Sequence, residues 1–68
     1  MLKIKELKNR QRFYAMDSDG EPYSFVVWME PTKINGIWTV DCTDEGDYCF
    51  TFTEEDEKIL FLTDSLGD

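Results

Sequence analysis

Aromatic and β-branched residues are concentrated in four segments of the chain, and a dipeptide ending in glycine separates each segment from the next. These dipeptides are Asp19-Gly20, Asn35-Gly36 and Glu45-Gly46. Asp-Gly and Asn-Gly readily supply the positive φ angles of tight hairpin turns. The pattern therefore predicts four strands, at about residues 11–17, 22–30, 37–43 and 48–53.

The two ends of the chain are ambiguous by the same criterion. Residues 2–10 fit either a helical turn or a short strand. Near the C-terminus, Thr53 followed by Asp56 fits the start of a capped helix. The composition of residues 58–63 instead fits a fifth strand, with alternating apolar positions. We favour the strand, which would lie beside the fourth.

Short connections make sequential strands spatial neighbours. We therefore predict a mainly β fold, a four- to five-stranded antiparallel meander with a short helix allowed at either terminus. A two-residue turn at Asp19-Gly20 would set Tyr14 opposite Phe25 and put Phe13 on the other face. Both faces are then apolar. A flat sheet cannot bury both alone, so we expect it to curl into a barrel-like shape, to take a cover or to meet a second chain.

The composition agrees with a folded chain. Its 68 residues allow one small domain, 1–68, which would bury only about 60% of its unfolded surface. Aromatic residues from Phe13 to Phe61 supply the large side chains that so small a core needs. A hydrophobic content of 41% is too high for a disordered acidic tail, despite a net charge of −8.

Charge is divided unevenly along the chain. Residues 1–12 hold five basic residues against Glu6 alone, a balance of +4. Residues 13–68 hold fourteen acids against Lys33 and Lys58, a balance of −12. Because cations supply most of the affinity for a phosphate backbone, we expect no direct binding to nucleic acid.

The meander predicts where the acidic residues meet. Strand directions alternate, so the first and third turns should lie at the same end of the sheet, roughly 10 Å apart. A fifth strand would return Asp64 and Asp68 to that end. The basic N-terminal segment would lie at the opposite end, beside residues 54–57. The residues predicted to converge without a basic neighbour are Asp17, Asp19, Glu21, Asp44, Glu45 and Asp47.

Residues that carry catalysis are scarce in this chain. Histidine, the commonest general base and metal ligand, is absent. No candidate general base accompanies the serines in the sequence. The glycines form neither a nucleophile elbow nor a phosphate-binding loop. A chain this short has little room for a cleft that would desolvate one of two paired carboxylates. We therefore expect no enzymatic activity and no cofactor.

Metal and redox chemistry are weakly indicated. An EF-hand at the first turn would need acids where Ala15 and Val26 stand. A turn centred on Glu45-Gly46 would set Cys42 opposite Cys49, within disulfide reach. Two thiolates without histidine cannot complete a zinc site, and the spacing differs from C-x-x-C. We expect no bound metal and interpret the cysteines as small buried thiols.

We expect a cytoplasmic protein without a membrane segment. Charge alternates near the N-terminus instead of forming a signal peptide, and the longest apolar run, 25–29, is too short to span a bilayer. The leading hypothesis is a non-enzymatic acidic module that docks on a basic surface of a protein partner, for example one that receives nucleic acid, and inhibits or regulates that partner. The alternative is a structural adaptor or homodimer that uses an exposed aromatic face, formed by Trp28, Trp38, Phe50 and Phe52.

Overall fold

The computed structural model describes residues 2–64, which form one sheet of five antiparallel strands in the order β4-β3-β2-β1-β5. The predicted mainly β fold and its antiparallel meander are confirmed. Helical structure within residues 2–64 is limited to two 3₁₀ helices, Ile4–Glu6 and Glu54–Lys58. The strands are β1 (Arg12–Met16), β2 (Pro22–Ile34), β3 (Ile37–Thr43), β4 (Cys49–Thr53) and β5 (Phe61–Thr63).

The fifth strand lies at the edge of the sheet opposite to the one predicted. It pairs with β1, with Leu62 opposite Ala15, and not with β4. This position buries the Leu62 side chain completely in the core. The chain reaches this edge through the second 3₁₀ helix, which Thr53 caps by accepting the N–H of Glu55. Both interpretations of this segment were therefore partly correct.

The direction of β5 changes the predicted position of Asp64. Because β5 is antiparallel to β1, it runs away from the loop that follows β1. Asp64 follows β5, so it lies toward the end opposite to the one predicted. The prediction for Asp68 lies outside the described residues.

The sheet curls strongly around its core. The ring centroids of Phe13 in β1 and Phe52 in β4 are 6.0 Å apart, although β2 and β3 lie between these strands. In a flat sheet such strands would be about 14 Å apart. The sheet stays open, since β4 and β5 are its edges within residues 2–64, so barrel-like describes it only loosely. The buried core contains Ile4, Leu7, Phe13, Ala15, Phe25, Val27, Val40, Cys42 and Leu62.

The first hairpin pairs one residue away from the predicted register. Phe13, and not Tyr14, lies opposite Phe25. The cause is the loop, which holds five residues instead of two and is stabilised by Asp17, whose carboxylate accepts the N–H of Asp19 at 2.9 Å. A slip of one residue moves every side chain of a strand to the other face. Phe13 therefore joins Phe25 on the core face.

The second hairpin follows the sequence prediction. Both residues of Asn35-Gly36 have positive φ angles, 52° and 81°, as a type I′ turn requires. On the β2 side of this hairpin, farther from the turn, the register with β3 shifts between Met29 and Thr32. Pro31 lies within this irregular stretch, where its missing N–H removes no regular ladder bond.

The third hairpin is also shifted by one residue, which separates the two cysteines. Cys42 pairs with Phe50, and Cys49 pairs with Thr43, so the thiols lie on opposite faces of the sheet. Both are free, Cys42 buried and Cys49 exposed. The predicted cross-strand cysteine pair is therefore wrong, and so is the burial predicted for Cys49. Burial raises the pKa of the Cys42 thiol to about 12, with a smaller contribution from Asp41.

Asp44 determines the geometry of this third loop. Its Oδ1 accepts the backbone N–H groups of Gly46 at 2.8 Å and Tyr48 at 3.0 Å. The loop has its positive φ at Asp47, 64°, and not at Gly46 as the hairpin pattern suggested. A two-residue turn at Glu45-Gly46 would have set Asp44 opposite Asp47. Asp44 instead pairs with Tyr48 across three residues, which accounts for the shifted register.

The basic N-terminal segment packs against the second 3₁₀ helix, as the charge pattern predicted. The N–H of Ile4 donates to Oε2 of Glu57 at 2.7 Å. Nζ of Lys3 lies 3.7 Å from Oε1 of the same carboxylate. Glu57 therefore joins the segment that covers the core to the segment that leads into β5.

Candidate partner-binding surface

Two hairpin loops lie at the same end of the sheet. The β1–β2 loop covers residues 17–21, and the β3–β4 loop covers residues 44–48. They share one end because the four strands of the meander alternate in direction. We call these two loops the acidic pole. They bring together the six acidic residues selected from the sequence, Asp17, Asp19, Glu21, Asp44, Glu45 and Asp47.

Two of these six carboxylates are engaged within their own loops. Asp17 accepts a backbone N–H in the first loop, and Asp44 accepts two in the second. Such bonds from aspartate to nearby backbone stabilise turns. The acidic residues of the pole that are exposed to solvent are Asp19, Glu21, Glu45 and Asp47.

Basic residues of the described chain form their ion pairs elsewhere. Lys3 pairs with Glu57, and Lys58 pairs with Glu55 at 3.0 Å. No ion pair within residues 2–64 involves the acidic pole. Repulsion between exposed carboxylates amounts to roughly a few tenths of a kcal/mol per pair, because water and salt screen it. The fold tolerates this repulsion, so the pole presents uncompensated negative charge.

An aromatic groove of about 720 Å³ opens beside the β3–β4 loop. Its floor contains Phe25, Phe50 and Phe52. The ring of Phe25 packs edge to face against the other two, with centroid distances of 5.5 Å to Phe50 and 5.0 Å to Phe52. Asp44 and Glu45 line the same groove from the loop. Acidic and aromatic features that the sequence presented as alternatives are therefore adjacent.

The four aromatic residues of the alternative hypothesis do not form one surface. Phe50 and Phe52 line the groove, while Trp38 packs against the core. Trp28 is 65% exposed and follows the buried Val27 in β2, so its side chain faces solvent outside the groove. The structure brings only part of the predicted aromatic set together with the acidic pole.

Tyr23 and Phe25 also line the groove, and the sequence analysis selected neither of them. Their position follows from the register of the first hairpin, in which Phe25 stacks on Phe13 with ring centroids 5.7 Å apart. The available signal was the alternation of Tyr23, Phe25 and Val27 along β2, which marks one continuous apolar face.

No protein-family model, curated protein or solved structure matches the chain. In the part of the chain that the structure describes, no group of three or more Cys, Asp or Glu side chains is arranged to hold a metal ion. No helix among residues 2–64 has the length and apolar character needed to cross a membrane. The acidic pole and the aromatic groove are adjacent candidate binding surfaces of the described chain.

Proposed function

We propose that this protein is a non-enzymatic binding module that docks its acidic pole on a basic surface of a protein partner in the cytoplasm and inhibits or regulates that partner. One observation carries the proposal. Exposed carboxylates lie on two loops at one end of the sheet, and no basic residue within 2–64 forms an ion pair with them. These residues are Asp19, Glu21, Glu45 and Asp47.

The best-matched partner is a protein whose surface normally receives nucleic acid. Such a surface presents lysine and arginine side chains spaced to contact successive phosphates. Carboxylates held on two adjacent loops offer negative charge to the same side chains. Occupation of that surface by the acidic pole would exclude the nucleic acid, which is a direct route to inhibition.

The charge of the pole also sets the kinetics expected for this encounter. Complementary charges raise association rates through long-range attraction, and added salt lowers them. At physiological ionic strength the screening length is about 8 Å. The complex should therefore form quickly at low salt and lose much of its association rate as salt is added.

A salt-graded pull-down from cell lysate, read by mass spectrometry, tests this function. The full chain should capture a nucleic-acid-binding protein at low salt, release it at high salt, and lose it when competing nucleic acid is added. Capture of no protein, or capture that neither salt nor nucleic acid reduces, would contradict the proposal.

A different observation favours a second function. Trp28 and Met29 are adjacent in β2 and both exposed, and the exposed Ile34 and Ile37 flank the turn of the same hairpin. Exposed large apolar side chains often mark interaction surfaces when they lie together. In this alternative the protein is a structural or assembly adaptor, including a homodimer, that acts through exposed apolar residues of the β2–β3 hairpin. Sedimentation at low and high salt separates the two functions, because a salt-resistant oligomer that Trp28→Ser dissociates would support the adaptor.

A further inference from the structure

The groove beside the acidic pole combines negative charge with exposed aromatic side chains. Phe50 remains 43% exposed even though its ring packs against Phe25, so an apolar surface stays open to solvent there. Tyr23, on the neighbouring part of β2, is also exposed and lines the groove. A volume of about 720 Å³ lies in the range of pockets that bind small ligands, and it accommodates more than one side chain.

Asp44 presents a carboxylate to this groove that is already fixed in place. Its Oδ1 is held by the N–H groups of Gly46 and Tyr48, and within residues 2–64 its Oδ2 has no hydrogen-bond partner. Glu45 adds a second, exposed carboxylate. A group that binds Oδ2 meets an acceptor whose side chain is already ordered, which reduces the entropic cost of binding.

The aromatic floor of the groove and the carboxylates of Asp44 and Glu45 together favour one kind of ligand. A purely apolar side chain would remove water from Asp44 and Glu45 without replacing its hydrogen bonds, which is unfavourable. Nucleic acid would bring phosphates close to the same carboxylates. An arginine with apolar neighbours satisfies both parts of the groove, because its guanidinium donates paired hydrogen bonds to carboxylates while the neighbouring apolar groups cover the aromatic rings.

We propose that this groove receives an arginine side chain and its apolar neighbours from a protein partner, with the guanidinium at Asp44 and Glu45 and the apolar groups on Phe25, Phe50 and Phe52. The inference rests on the proposed function, since it names the part of a basic partner that enters the acidic pole. It adds that recognition requires an arginine flanked by apolar side chains, and not positive charge alone.

Titration of the full chain with a blocked Leu-Arg-Leu-Arg-Leu peptide, followed by amide NMR, tests this inference. Shifts should concentrate at residues 23–25, 44–46 and 50–52. The same peptide with citrulline, which keeps the shape of arginine and loses its charge, should bind at least about tenfold more weakly. A peptide with glycine in place of leucine should lose affinity for the protein to a similar degree. Equal binding of the arginine and citrulline peptides would overturn the inference.

Variants of the protein separate the groove from the general charge of the pole. Phe50→Ser and Glu45→Gln should each lower the affinity of the protein for the arginine peptide about tenfold. Asp19→Asn removes a charge from the other loop and should change binding by less than about twofold, because salt screens it. Tyr23→Ser provides a second test of the aromatic surface if Phe50→Ser disturbs the fold, which the same spectra reveal.

The outcomes distinguish this inference from the function on which it rests. If Glu45→Gln weakens binding while Phe50→Ser and Tyr23→Ser do not, the pole attracts basic partners without the groove, and the inference is wrong. Groove shifts produced by short single-stranded DNA, or by raising the protein concentration alone, would assign the groove to a nucleobase or to a second copy and also overturn it. The proposed function fails separately, if pull-down is unaffected by neutralising the whole pole.

Discussion

Asp44 and Tyr48 face each other across the β3–β4 loop and are joined by two hydrogen bonds. Oδ1 of Asp44 accepts the N–H of Tyr48 at 3.0 Å, and the N–H of Asp44 donates to the carbonyl of Tyr48 at 3.0 Å. This arrangement moves the left-handed residue of the loop to Asp47 and leaves Gly46 without a positive φ. The backbone conformation therefore requires glycine at position 36 but not at position 46.

Alanine substitution should destabilise the protein at Gly36 and have little effect at Gly46. Gly36 has a φ of 81°, so Gly36→Ala should destabilise the protein by about 1–2 kcal/mol. At Gly46 a new Cβ would lie 3.2 Å from the Tyr48 ring, which is exposed and can move. Gly46→Ala should change the free energy of unfolding by less than about 0.5 kcal/mol. Urea denaturation measures both, and equal losses would contradict the loop geometry.

The curl of the sheet makes Phe13 the most sensitive aromatic position of β1. Phe13 is fully buried and contacts both Phe25 and Phe52, which belong to other strands. Phe13→Ala should cost about 3–5 kcal/mol or unfold the chain, because it leaves a cavity. Phe61→Ala is the matched control, since that ring is 47% exposed at the edge of the sheet and should cost less than about 1 kcal/mol. Similar losses in denaturant midpoint would contradict the described core.

Glu57 should contribute more to stability than its neighbour Glu55. Glu57→Ala removes the acceptor of the Ile4 N–H, a buried position, and should cost about 1–3 kcal/mol. Glu55→Ala removes the same charge but only an exposed ion pair with Lys58, so the expected loss is below about 0.5 kcal/mol. Thermal denaturation of the two variants decides the question. A larger loss for Glu55→Ala would show that the N-terminal segment is not held by Glu57.

The two thiols should differ in reactivity and in their effect on pH stability. Native protein treated with iodoacetamide at about pH 8 should gain one label, on Cys49, because burial raises the pKa of Cys42. A thiol whose pKa is higher in the folded state stabilises the fold below its ordinary value of 9.0, and this stability is lost as pH rises toward about 12. Cys42→Ala should remove that pH dependence. Equal labelling of both thiols in native protein would contradict the assigned register.

Turn chemistry in the sequence located the three hairpins, but it did not determine their register. Asp17 and Asp44 lengthen their loops through side-chain hydrogen bonds, and each change moves the paired strand by one residue. A one-residue slip exchanges the faces of a strand. This explains why the predicted facing of Phe13 and the predicted pairing of Cys42 with Cys49 were both wrong.

The convergence of the acidic loops was predictable because it depends on strand direction and not on register. A meander brings its first and third turns to one end whichever residues pair. The position of β5 was not predictable in the same way. Its three residues pair with β1 because Leu62 fills the core there, and a local pattern does not specify such a long-range contact. The groove beside the pole was missed for a related reason, since Phe25 of β2 meets Phe50 and Phe52 of β4 only because the sheet curls across β3.

The proposed docking of the acidic pole is tested most directly by comparing two variants of equal charge in the same lysate pull-down. The pole variant neutralises the four exposed carboxylates of the two loops through Asp19→Asn, Glu21→Gln, Glu45→Gln and Asp47→Asn. The control variant neutralises four exposed carboxylates elsewhere, through Glu30→Gln, Asp41→Asn, Glu55→Gln and Asp64→Asn. Each variant loses the same net charge, and the control variant also loses the exposed ion pair of Glu55 with Lys58 and the hydrogen bond that Thr51 donates to Asp41.

The natural chain and the control variant should capture the same basic partner in a salt-sensitive manner, and the pole variant should not capture it. Circular dichroism should show that all three chains are folded, because the substituted positions are exposed. Equal capture by the pole variant, or a loss of capture shared by both variants, would contradict docking through the acidic pole.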